Sequence, residues 1–160
     1  MPADGRSSGL RITLTVLAGL IFAVVPLPEA IRPARPHLLL LLIIYWSLTA
    51  PRIVGLMFAW LCGLAIDVLK GTLLGQHAAV FLLVAYLTHK FQLRMRIFPL
   101  THQTLTVFML LAVYEFFVFW IDGIIGSAAV TWLRWLPVVS STLLWPLLKE
   151  LLDAWNRGRR

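Results

Sequence analysis

Residues 36–69 form an apolar run broken near its midpoint by Pro51-Arg52, and that break governs how such a chain can lie in a membrane. As one helix the run would measure about 50 Å at 1.5 Å per residue, against a hydrocarbon core of roughly 30 Å. It would also hold Arg52 near the bilayer centre, at roughly 2.5–3.5 kcal/mol on insertion scales. A proline that ends a helix, followed by an arginine that favours the cytoplasmic surface, reads instead as the tip of a helical hairpin. Pro51 and Arg52 are therefore predicted at that tip.

Composition points the same way. Of 160 residues, 60% are apolar, and the mean hydropathy of +0.87 lies outside the range of ordinary soluble domains, whose apolar share is about 45–50%. The expected class is an all-α integral membrane protein forming one domain over residues 1–160. The net charge of +7 and pI near 10.5 do not imply nucleic acid, because the basic residues separate apolar segments instead of forming a stripe. Cys62 is the single cysteine and lies in an apolar stretch, so it is read as a small packing residue.

Six spans are predicted, roughly at 11–27, 37–50, 53–69, 73–91, 102–122 and 134–153. With both termini cytoplasmic, only Arg32, Arg35, Lys70 and Arg134 of the 14 basic residues fall outside, as the positive-inside rule requires. A five-span arrangement would bury Arg52. The first segment, preceded by Arg6 and Arg11, has the outline of a secretory signal but lacks a small-x-small cleavage site, and is read as an uncleaved anchor. Arginines near Arg94 and Arg159 should attract anionic membrane lipid. Trp120, Trp132, Trp135 and Trp155 are expected at the interfaces, with Trp46, Trp60 and Trp145 deeper. Residues 123–133 are apolar but too short to cross and are expected on the outer interface.

Several features could carry function. On the third span Gly55, Ala59, Gly63 and Asp67 recur every four residues, a stripe that either packs within the bundle or receives a partner's helix. Thr15, Gly19 and Ala23 form a second ladder on the first span, open to the same two readings. Asp67, Lys70, Gly71 and Gly75 make the outer-rim turn between the third and fourth spans. There Asp67 and Lys70 could pair at i, i+3, and Gly71 suits a positive φ. Glu115 is an acid well inside a span with Asp122 on the same face. It is open to a structural ion pair, a partner-helix contact or an ion path, and its possible partners are His77, Lys70 and Arg134.

Catalytic signatures are missing. The histidines at 37, 77, 89 and 102 make no i, i+4 metal pair, and neither a phosphate-binding glycine loop nor a G-x-S-x-G elbow occurs. No enzyme activity and no cofactor are expected.

Ordered motifs across residues 20–150 resemble the bacterial rod shape-determining protein MreD family. They are Arg35-Pro36-His37, then Leu42 to Gly55 with Tyr45-Trp46 and Pro51-Arg52, then Gly63 to Gly75 with Asp67 and Gly71, then Val84 to Leu87, and finally Leu144-Trp145-Pro146. The chain has Pro51 directly before Arg52 where many members carry a residue between them, which leaves the hairpin tip intact. The resemblance implies an inner-membrane, multi-pass component of the machinery that builds peptidoglycan along the side wall. It implies association with the bitopic protein MreC, with MreB, with the glycosyltransferase RodA and with an elongation-specific penicillin-binding transpeptidase. It further implies a compact six-helix bundle like the substrate-binding subunits of energy-coupling-factor vitamin transporters.

The leading expectation is a non-enzymatic scaffold whose small-residue grooves hold a partner's membrane helix by close packing. The runner-up is a substrate-binding transporter subunit, docked through Thr15, Gly19 and Ala23. It is weakened by the few polar groups that could converge on a ligand, mainly Glu115, His77, Gln76 and Tyr114. A lipid or ion channel has only Glu115 in its favour.

Overall fold

A computed structural model describes residues 3–126 and 132–157, with side chains from residue 8 onward. Among the described residues run α1 (Ala3–Val24), α2 (Leu38–Thr49), α3 (Leu56–Lys70), α4 (Gln76–Ile97), α5 (Leu100–Ile125) and α6 (Leu136–Arg157). Single 3-10 turns at Arg32–Ala34 and Trp132–Trp135 precede α2 and α6. Each helix lies close to a predicted span, and the departures have local causes. α1 stops at Val24, before Pro26 and Pro28, which cannot continue its hydrogen bonds. α4 runs on to Ile97 and stops at Phe98, held extended by the following Pro99. Of the segment expected on the interface, 123–125 complete α5, Gly126 caps it at φ 82°, and 127–131 lie outside the described residues.

α2 is the centre of the bundle. Its 12 residues are apolar on every side, and each from Leu39 to Leu48 is buried, as expected of a helix without a polar face. It packs on α1, α4 and α6, while α3 packs on α4 and α1. At roughly 18 Å, α2 does not cross a bilayer core by itself. α5 is long and apolar enough to do so.

Pro51 and Arg52 occupy the turn after α2, where the Ile53 and Val54 amides both donate to the Ala50 carbonyl at 3.0 Å. The two helices it joins do not lie side by side as a hairpin would, because α4 takes the place beside α2. Two side chains of α4, Gln92 and Arg96, donate to the Leu48 carbonyl at the end of α2, with Gln92 Nε2 3.2 Å away. His89 Nε2 donates to the Val54 carbonyl at 3.1 Å, and Val54 is fully buried. The Leu48 carbonyl is one that the end of a helix leaves without a partner, and the Val54 carbonyl belongs to the turn before α3.

The outward surfaces are apolar: Leu14 and Ile21 on α1, Met57 and Val68 on α3, Met109 on α5 and Leu147 on α6 are all exposed. Such a surface around an already packed core is one that lipid or another membrane helix must cover. Trp46 and Trp145 are buried, whereas Trp60, Trp120, Trp132, Trp135 and Trp155 are exposed.

Candidate functional site

The polar side chains gather at the two ends of the bundle. One end holds the first turns of α1 and the last turns of α6, and Tyr45 on α2 is its anchor: its hydroxyl donates to Asp153 Oδ1 at 2.7 Å and accepts from Asn156 Nδ2 at 2.9 Å. Arg11 on α1 donates to Asn156 Oδ1 at 2.9 Å, and Trp46 Nε1 donates to Thr15 Oγ1 at 2.9 Å. α1 and α6 are thereby tied to the central helix.

The other end carries the acidic residues singled out in the sequence. Asp67, 1% exposed, is the acceptor around which the α3–α4 turn is built. It receives the backbone amides of Gly75 at 2.9 Å, His77 at 3.0 Å and Ala78 at 3.3 Å. It also receives the Thr72 hydroxyl at 2.9 Å and His77 Nδ1 at 2.8 Å. A carboxylate only accepts, so Nδ1 carries the His77 proton. The amides come from the first turn of α4, where N–H groups have no helical partner. Gly71 at φ 64° and Gly75 at φ 98° give the left-handed backbone that folds the turn back over Asp67. The Asp67–Lys70 pair considered from spacing does not form, because Asp67 points into this nest of donors and Lys70 lies exposed at the helix end.

Glu115 on α5 is 5% exposed and meets Arg134, whose Nε donates to Oε1 at 2.6 Å. The second arm of the same guanidinium donates to Asp122, which also accepts from Gln76 of α4. One arginine thus bridges two acids two turns apart on one face of α5 and joins them to the segment leading into α6, the forked geometry that guanidinium allows. Of the partners considered for Glu115, Arg134 is the one in contact. His77 and Lys70 instead serve the Asp67 turn and a neighbouring cavity. His37 Nε2 lies 3.5 Å from Glu115 Oε2, and its backbone amide donates to Ser141 Oγ on α6 at 2.7 Å. Tyr114 is packed between His37, at 4.8 Å between ring centroids, and Phe81, at 5.9 Å.

The two small-residue ladders face inward. Ala59 and Gly63 are buried, and a Cβ on Gly63 would stand 2.4 Å from Ala78 Cα and 2.7 Å from Ala78 N. The groove expected to take a partner's helix is therefore filled by α4 of the same chain. Gly55, at the open end of this stripe, has nothing within 4 Å of where a Cβ would be. On α1 a Cβ at Gly19 would meet the Leu39 backbone at 3.2 Å, Thr15 bonds to Trp46, and Ala23 packs against the core. That ladder seats α1 on α2. In both cases the correction has one cause: a face that lets backbones approach closely is used first by the nearest helix of its own chain.

Two adjoining cavities open at the acidic end. The first, about 160 Å³, lies between the end of α1, the start of α2 and the end of α3, and Arg35, His37, Lys70 and Phe22 line it. The second, about 380 Å³, is lined by Arg32, His77, Glu115 and Arg134, and shares His37, Lys70, Tyr114 and Pro137 with the first. Sequence reading gave Arg35 a place in the topology and, with His37, in the Arg35-Pro36-His37 motif, but assigned neither to a site, since nothing local brings either near Glu115 or Lys70. Among the described residues no group of three histidine, cysteine or acidic side chains is placed to hold a metal ion.

Comparison with known proteins agrees with the resemblance of the motifs. The family model for the rod shape-determining protein MreD matches residues 7–154. The rod shape-determining protein MreD of Haemophilus influenzae is 30% identical over 136 residues, covering 82% of this chain and 84% of that protein. No solved structure matches. A family match over nearly the whole length, together with motifs that make up the α2–α3 connection and the Asp67 turn, places the chain in the MreD family of bacterial membrane proteins that determine rod shape.

Proposed function

We propose that this chain is a multi-pass, non-enzymatic scaffold of the cytoplasmic membrane with both termini inside, acting in side-wall elongation through assembly with MreC. Through MreC it would stand alongside RodA, the elongation-specific transpeptidase and MreB. The observation that carries this reading is the family match over residues 7–154. The fold is compatible with it. Glu115, Asp122 and Asp67 are engaged by groups of the same chain, and both small-residue ladders are occupied within it. A partner helix must then use the outward faces, such as the one bearing Leu56, Met57, Trp60 and Leu61 on α3. Affinity there would come from side-chain packing and a few polar contacts, because burial of apolar surface gives little drive between helices already in lipid.

The test is photo-crosslinking in native membranes from a reactive residue placed at Leu56, which is 39% exposed. Capture of MreC, identified by mass spectrometry, is the expected result. A clean crosslink to lipid alone from Leu56, and again from Leu61, would remove this face from the interface. Capture of a transporter's coupling subunit would count against the scaffold itself.

A further inference from the structure

Arg35 and Lys70 line the same 160 Å³ cavity, and among the described residues neither side chain has a hydrogen bond or a carboxylate within ion-pair distance. The Nε and Nη2 atoms of Arg35 are buried and without partners. The face of Phe22 lies 5.2 Å from the Arg35 guanidinium carbon. Burial, and after it the charge of Arg32, pulls Arg35 below the usual arginine range. The acids at this end are already used: Glu29 by Arg32, Asp67 by the turn, and Glu115 and Asp122 by Arg134. A partly buried guanidinium with two buried, unpaired nitrogens beside a second cation is costly unless an anion completes it. The rest of the wall is hydrocarbon, with Leu39, Ile66 and Phe81 among its residues.

We propose that this cavity binds a phosphorylated amphiphile, with its phosphate between Arg35 and Lys70 and its chain along Phe22, Leu39 and Phe81. Arginine presents a fork that matches phosphate oxygens, and lysine adds a mobile point charge at the mouth. The apolar wall beneath the cations favours phosphate carried on a chain over phosphate in solution. The site is distinct from the outward face proposed for partner helices and does not depend on that reading.

The test uses the full chain in nanodiscs of phosphatidylcholine doped with phosphatidic acid, and in detergent with inorganic phosphate or diacylglycerol added separately. Native mass spectrometry should show one phosphatidic acid retained per chain. Binding should weaken at least tenfold in Arg35→Gln/Lys70→Gln and be unchanged in Lys90→Gln/Arg94→Gln, which removes the same charge from an exposed part of α4 that lines neither cavity. Equal loss in both double variants would reduce the effect to net charge and overturn the site. Thermal stabilisation by inorganic phosphate as large as that by phosphatidic acid would overturn the amphiphile. Should the first double variant misfold, a photoactivatable phosphatidic acid on the unaltered chain decides: adducts within 19–23 or 35–40, or at Ile66, Lys70 or Phe81, support the site, and adducts only elsewhere refute it.

Discussion

Gly63→Ala adds a single methyl group at the tightest helix contact. The new Cβ would lie 2.4 Å from Ala78 Cα, 2.7 Å from Ala78 N and 2.8 Å from the His77 carbonyl oxygen. Optimal carbon–carbon separation is about 3.5–4.0 Å, so α3 and α4 must part by roughly 1 Å. No flexible side chain can give way, since all three atoms are backbone. The first turn of α4 is also held by Asp67, so the parting would stretch the amide bonds from His77 and Ala78 at 3.0 and 3.3 Å. Overpacking of this kind costs about 1–3 kcal/mol, which for a chain of this size lowers Tm by about 2–12 °C. Tryptophan fluorescence during thermal unfolding in detergent is the assay, with Gly123→Ala as control because nothing lies within 4 Å of its Cβ position. A Tm for Gly63→Ala within 1 °C or so of the parent would refute the contact, and with it the statement that α4 fills the stripe.

Three further outcomes follow from the polar ends. Arg134→Ala leaves Glu115 and Asp122 without their shared cation and should cost about 3–5 kcal/mol, whereas apolar replacement of all three groups should restore much of the loss; thermal unfolding of the variants checks both. Asp67→Ala strands the amides of Gly75, His77 and Ala78, at about 1–3 kcal/mol for each buried group left unpaired. Hydrogen exchange should then accelerate over residues 71–78 more than over α6. Arg96→Gln removes donors from the Leu48 carbonyl and should cost about 1 kcal/mol, with faster exchange confined to the turn around Ala50 to Gly55.

Much of the architecture was legible because membrane helices announce themselves by apolar length and by the residues that end them. Gly71, expected as a turn glycine, stands at a left-handed cap, whereas the spans expected to reach 27, 91 and 122 end at Val24 before Pro26, at Ile97 before Pro99 and at Ile125 before Gly126. The Asp122–Glu115 face was likewise readable from helical periodicity, seven residues being two turns. Pairing was not readable. Asp67 and Lys70 are spaced to meet, yet Asp67 turns to the amides of the next helix, where several unpaired donors converge and outcompete one exposed ammonium.

The distinction has a physical basis. Apolar length, breakers and charge placement act locally, so the amino-acid sequence by itself determined a helical membrane chain with its turn at Pro51-Arg52 and its glycine-bearing rim at Gly71 to Gly75. Which helix fills which groove depends on contacts between residues far apart in the chain. Only the tertiary structure decided that α2 is the buried centre, that Gly63 receives α4, and that Arg134 serves both Glu115 and Asp122. Only it brought Arg35 to the same cavity as Lys70. Small residues permit close approach without naming a partner, and a charge specifies the sign of its partner but not its position, so packing in three dimensions makes both choices.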